Sequence, residues 1–234
     1  MEDKVYGQYT GLLFKFKVLD SLQSINYAFD IIDNNRLYLS RVNELNDPFE
    51  GYIDLLSGKT SEHFQCLNKL GIVSLSTDCF SQLMWANYTH TYNGICIGFN
   101  SYPDSSFFTY SQEVLYNDRP YWTTEIGIPF SLTRKHKEWA YEKERRIIQN
   151  RTDCNETGKY FQFKSEDIAC IIVGFKVCER LKEYIKKEYS AFPVFEVRQM
   201  QKEYGLYLYS YRDKTIINSL EELNRYITNE EENK

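Results

Sequence analysis

The chain has 234 residues, of which 42% are hydrophobic, 26% charged and 16% aromatic, a balance that excludes a disordered chain and suits one large folded domain. A formal charge of -5 and a pI near 5.4 exclude a broad phosphate-binding surface, because non-specific nucleic-acid affinity comes from many Lys and Arg contacts; a local basic cleft stays open. The longest apolar runs, such as "GLLF" and "IACIIVGF", fall well short of the roughly 20 residues that a membrane-spanning helix needs.

The opening "MEDKVYGQYTG" is acidic and polar where a secretory leader is basic and then apolar. "LLFKFKV" then alternates apolar and basic residues and predicts a strand with Lys15 and Lys17 on one face. "DSLQSINYAFDIIDNN" predicts a helix capped by Asp20 or Ser21, with Leu22, Ile25, Phe29 and Ile32 on its apolar side. "RLYLS" is the second strand, and "RVNELNDPFEGY" is a turn-rich loop dense in carboxylates and amides.

Residues 53–69 read as a peripheral helix, "GIVSLS" as a buried strand and "SQLMWANYTHTY" as a helix with Met84, Trp85, Tyr88 and Tyr92 at helical spacing. "GICIGFN" is a further strand, 107–117 suits another, and "TRKHKEWAYEKERRIIQN" is a short helix running into a strand near Tyr141. The last third reads as strand "IACIIVGF", helix "CERLKEYIKKEY" with Leu181, Tyr184, Ile185 and Tyr189 on one face, and strands "PVFEV" and "LYLYSY". A final helix starts at Ser219, and "TNEEENK" frays as an acidic tail. Without a regular βαβ rhythm, this order predicts a single mixed α+β domain, mainly antiparallel sheets flanked by helices. It spans 1–234, with the core over 12–212 and a C-terminal helix and tail over 213–234.

The six cysteines, Cys66, Cys79, Cys96, Cys154, Cys170 and Cys178, form no CxxC pair, and Cys96 and Cys170 sit inside apolar runs. They are expected as reduced thiols in a cytoplasmic protein, so the N-x-T matches at Asn87, Asn150 and Asn155 carry no glycan. His63, His90 and His136 are scattered, and no Cys/His spacing suits zinc. Neither a G-x-S-x-G elbow nor a phosphate-binding glycine loop occurs.

Four stretches carry polar groups that could do chemistry. In "WAYEKERR", a strand over 142–148 would place Glu142, Glu144 and Arg146 on one face, the carboxylates about 7 Å apart. Such a pair can raise the pKa of one carboxylate while Arg146 keeps the other ionised; the alternative is a solvated face with cross-strand salt bridges. In "LNDPFEG", Asp47 before Pro48 is a turn former, with Phe49 an anchor in the core, whereas Glu50 has no turn role. Ser74 and Ser76 of "SLSTD" either face a site or cap the next helix. Trp85 and Tyr88 are either core or an aromatic platform.

Taken together, "LYLSRVNELNDPFEG", "VSLSTDCFSQLMWANYTHTYNGICIGFN" and "KHKEWAYEKERR" resemble the uncharacterised bacterial family called domain of unknown function 2971. The matching residues are Asn46 to Glu50, Ser74 to Ser76, Met84, Trp85, Tyr88, Gly94 to Phe99, Lys135, Trp139, Glu142, Glu144 and Arg146. Asn87 departs from the His common there, so no role of that His carries over. A second resemblance is to the ADP-ribosyltransferase superfamily, carried by a basic early strand, "LYLS", "SLST" and Glu142-x-Glu144; the early residue here is Lys where that superfamily has Arg or His.

This second resemblance implies an ADP-ribosyltransferase-like fold and an NAD-consuming transferase or glycohydrolase with a protein or nucleic-acid acceptor, and the bacterial setting of the first family implies a toxin or phage-defence effector. Glu144 would stabilise the ribosyl cation, Glu142 would activate the acceptor and Arg146 would support them. Ligand contacts are expected from Lys15, Lys17, Tyr38, Ser40, Arg41, Asp47, Glu50, Ser74, Ser76, Trp85, Tyr88 and Trp139. The alternatives are a non-catalytic module that binds a nucleotide, peptide or short nucleic acid, and a Mg²⁺ nuclease built on Asp47, Glu50, Glu142 and Glu144. All readings place the three blocks at one cleft.

Overall fold

The computed structural model describes residues 9–50, 67–101, 107–118, 131–153, 155 and 157–232. Its elements, in chain order, begin with β1 (Leu12–Val18), α1 (Leu22–Asp33), β2 (Arg36–Tyr38), β3 (Leu70–Ser76), α2 (Gln82–Tyr88) and β4 (Gly94–Asn100). Short strands β5 (Gln112–Glu113), β6 (Leu115–Asn117) and β7 (Arg134–His136) precede β8 (Glu144–Asn150), β9 (Tyr160–Gln162) and β10 (Ile168–Val173). The chain closes with α3 (Glu179–Glu188), β11 (Val194–Gln199), β12 (Leu206–Ser210), β13 (Ile216–Ile217) and α4 (Leu220–Glu232).

The fold is α+β, as the interspersed pattern predicts. One nine-stranded sheet runs in the order β13-β12-β11-β10-β4-β1-β3-β8-β5. Its pairings are antiparallel except between β10 and β11. Strand alternation sends Leu13, Val73, Leu75, Ile95 and Ile97 to one face, where α1 (Ala28, Phe29, Ile31, Ile32) and α3 (Ile185) cover them. Phe14, Phe16, Cys96, Cys170, Phe195 and Leu208 go to the other, under Met84 and Trp85 of α2 and Leu223 and Ile227 of α4. Cys96 and Cys170 are buried free thiols inside strands, as small hydrophobes there should be, and Cys79, in the bend after β3, is buried and free as well.

Several local expectations change. Leu22 is 81% exposed in the first turn of α1, because the buried stripe is carried by Ala28, Phe29, Ile31 and Ile32; Ser21, not Asp20, caps the helix. Over 107–117 a 3-10 turn (Phe107–Tyr110) replaces the front of the strand. The C-terminal stretch stays helical to Glu232 instead of fraying at Thr228. The helix expected over 53–69, together with Cys66 and Cys154, lies outside the described residues apart from 67–69. No described helix is long and apolar enough to cross a membrane.

The seam between β1 and β3 positions the site. β1 pairs with β4 over seven residues and β3 with β8 over seven, yet β1 and β3 meet at a single pair, Phe14 with Ser76. The sheet is therefore split in its middle. The carbonyls that regular pairing would have satisfied need other donors, and the Lys15 Nζ supplies one, to the Ser74 oxygen at 2.9 Å. Gly98, opposite Phe14 across β4, leaves room for that ring: a Cβ there would lie 2.7 Å from Cys170 Sγ and 3.2 Å from the Phe14 ring.

Candidate functional site

A cavity of about 160 Å³ opens at this split. β1 contributes Phe14, Lys15 and Phe16; β3 contributes Ser74 and Ser76; β8 contributes Glu144 and Arg146. The loop after β2 adds Asn46 and Glu50, α2 adds Met84 and Tyr88, and β7 adds Lys135. The three sequence blocks do meet here.

Glu142 arrives by a route that period-2 counting misses. It ends a 3-10 helix (Lys137–Glu142), and β8 starts only at Glu144, because Lys143 takes a left-handed φ of 44° between them. The end of β3 holds this kink: Ser76 Oγ donates to the Glu142 carbonyl at 2.7 Å, and Thr77 N donates to the Lys143 carbonyl at 3.0 Å. The helix-capping role open to the "SLST" hydroxyls falls instead to Ser81, which accepts from Met84 N.

Lys135 is the hub. Its Nζ lies 2.5 Å from Glu142, 3.2 Å from Glu144 and 3.2 Å from Glu50. Arg146, fully buried, meets both Glu144 oxygens at 2.7 and 2.9 Å, pairs with Glu50 and donates to the Leu132 carbonyl at 2.7 Å. Tyr88 OH donates to Glu142 and accepts from Asn46 Nδ2 at 3.1 Å, while Tyr116 OH accepts from Glu144 N at 2.8 Å. Two fixed cations thus face three carboxylates, with Lys15 near by.

Environment separates the two carboxylates of Glu142-x-Glu144. Burial works against charge on Glu144, but Arg146, Lys135 and the Ser74 hydroxyl outweigh it and hold its pKa at about 2. For Glu142 burial wins over Lys135 and Tyr88, and its pKa rises; Glu50 rises for the same reason against Arg146 and Lys135. Burial alone would strip the proton from Lys135, but the three carboxylates raise its pKa, so it stays charged. Lys15 behaves oppositely: burial, then Lys17, pull it down to about 7.

The Glu144 shift sets a pH window. Its folded pKa lies below the ordinary 4.5, so its contribution is present above pH 4.5 and lost as the pH falls towards 2. The wild-type unfolding free energy from urea titrations should therefore fall more steeply than that of Glu144→Gln between those pH values, by up to about 3 kcal/mol. Parallel profiles would show that Glu144 is not held ionised.

The remaining expected site residues divide. Ser40 lines the cavity while its backbone bridges Ile72 in both directions at 2.8 Å. Asp47 is buried and makes the predicted turn, accepting from Phe49 N at 2.9 Å and from His136 N at 3.5 Å, so it ties the loop to β7 instead of facing a ligand. Phe49 is 64% exposed and anchors nothing in the core. Trp139 lies outside the cavity with its ring 4.8 Å from Lys135 Nζ.

Trp85 is a correction. It is wholly buried, edge-on to Phe16 at 5.2 Å, with Nε1 donating to the Cys79 carbonyl at 2.7 Å, and no face is free to stack on a ligand. Tyr38 and Arg41 also miss the cavity: Tyr38 packs against Tyr160 and accepts from Arg151, and Arg41 pairs with Asp153. Lys17 does not line the cavity either. The nuclease arrangement fails on charge, since Lys135 and Arg146 already occupy the faces of Glu50, Glu142 and Glu144 that a cation would take. Among the described residues no group of three His, Cys, Asp or Glu has metal-holding geometry.

Sequence reasoning left Lys135 out of the site, along with Asn46 and Tyr116. Lys135 was visible only as a member of the first resemblance, seven positions before Glu142. Comparison of the chain with protein-family models, with curated proteins and with solved structures finds no match.

Proposed function

We propose that the cavity breaks the N-glycosidic bond of a nucleotide, with NAD the substrate and either water or an acceptor hydroxyl taking the ribosyl group. One observation carries this reading: two carboxylates two residues apart, on the wall of one cavity, have proton affinities pushed in opposite directions. When nicotinamide leaves with the bonding electron pair, a positive oxocarbenium-like ribose remains, and ionised Glu144 stabilises it. Glu142, with its raised affinity for protons, takes the proton of the attacking water or hydroxyl. At about 160 Å³ the cavity is smaller than the 300–1,000 Å³ of drug-sized sites, so it takes one ring of the dinucleotide rather than the whole.

Purified protein should release nicotinamide from NAD, and Glu144→Gln should lower the rate by about 10²-fold or more, the scale of losing one preorganised electrostatic contact. Equal rates in wild type and variant would sink the assignment. A second reading, a binding module for a nucleotide, peptide or short nucleic acid, is favoured by the saturation of all three carboxylates with buried cations. Thermal shift separates the two. Stabilisation by NAD fragments, worth about 2.7 kcal/mol at a hundredfold excess over Kd, supports the first; a shift with another ligand class and no NAD cleavage supports the second.

A further inference from the structure

Two lysines line the same cavity in opposite circumstances. Lys135 sits among three carboxylates and is locked as a cation. Lys15 lines the cavity where β1 and β3 part. Among the described residues its amine donates to one neutral oxygen, the Ser74 carbonyl, and makes no salt bridge. A desolvated amine next to other cations, here Lys17 and Arg146, and held by no salt bridge is the arrangement that turns lysine into a nucleophile.

We propose that Lys15 is a covalent site for a small aldehyde, such as the open-chain form of a short sugar, which it binds as an imine. The proposal is independent of NAD cleavage.

The balance is simple. The Nζ lone pair adds to the aldehyde carbon, the carbonyl π pair moves to oxygen, and that oxygen takes up a proton as the nitrogen gives one up. The carbinolamine then expels its oxygen as water with a second proton, so that one amine, one aldehyde and one proton give one iminium and one water. Glu142, in the same cavity and with raised proton affinity, can deliver the proton. The charge of the iminium replaces that of the ammonium and is met by the same Glu144 and Glu142 carboxylates that attract it. Lys15 is also primed by its pKa of about 7, which leaves much of it neutral at pH 7 where an ordinary lysine is almost wholly charged.

The test uses the native full chain, glyceraldehyde as the probe and cyanoborohydride to reduce any imine to a stable secondary amine, followed by peptide mass mapping. At pH 7 Lys15 should be labelled about tenfold or more faster than an ordinary exposed lysine, given its larger neutral fraction. Lys137, Lys143 and Lys164, each more than half exposed, serve as internal standards. Unfolding in urea should erase the preference. Labelling of Lys15 no faster than the three standards overturns the proposal. So does an early label that persists in folded Lys15→Met protein, since another amine would then be the site.

Discussion

Replacing Arg146 with Met should remove about 3–5 kcal/mol of folding stability, the cost of breaking a buried ion pair and leaving its partners uncompensated. Arg146 has no exposed surface, and its guanidinium is what faces both Glu144 oxygens and Glu50. Without it, Lys135 alone stands against three buried carboxylates. On a total stability of about 5–15 kcal/mol the loss is severe. The urea midpoint should drop while the slope stays constant, and Glu144→Gln added to Arg146→Met should restore part of it, because the two sites are coupled. Arg146→Lys should restore little, since an ammonium cannot span two oxygens as a fork does. A loss below about 1 kcal/mol would show that the cluster is solvated in solution.

Trp85→Ala should cost a similar amount, about 3–5 kcal/mol, by emptying the centre of the core under α2. The indole touches Phe16 and Tyr92 and satisfies the Cys79 carbonyl, so the variant loses both packing and a buried hydrogen bond. Urea unfolding measures this directly. A near-neutral result would return Trp85 to the list of solvent-reachable rings.

These two side chains mark what the sequence could and could not reveal. The α+β order, the main strands and the helix faces follow from alternation and from apolar spacing, and β1 and β12 show the alternation most plainly. That Glu50, Ser74, Ser76, Glu144 and Arg146 share one cavity was legible because a strand's period fixes which side chains share a face, and because Glu50 had no local role. Trp85 was not legible: Met84, Trp85 and Tyr88 have the same spacing whether a ring is core or platform, and only the position of α2 over β1 decides it. Glu142 defeated the period because one left-handed residue, Lys143, re-aims it. Lys135 precedes a 3-10 helix, so no regular repeat connects it to the carboxylates it binds. The short strands β7, β9 and β13 leave too few residues for any alternation to show.

The cluster also has a history written into chain connectivity. The contact that ties the Asp47 loop to His136 spans 89 positions, the Ser76 bond to Glu142 spans 66, and the Lys15 bond to Ser74 spans 59. No stretch of chain that stops before Arg146 contains the cluster, however well its own strands form. During synthesis the amine of Lys15 is made long before the carboxylates it will share a cavity with, and closing loops of that length is slow compared with forming helices. The site is thus a property of the assembled sheet and of no single segment, and a nascent chain carries none of its chemistry until β8 has docked beside β3.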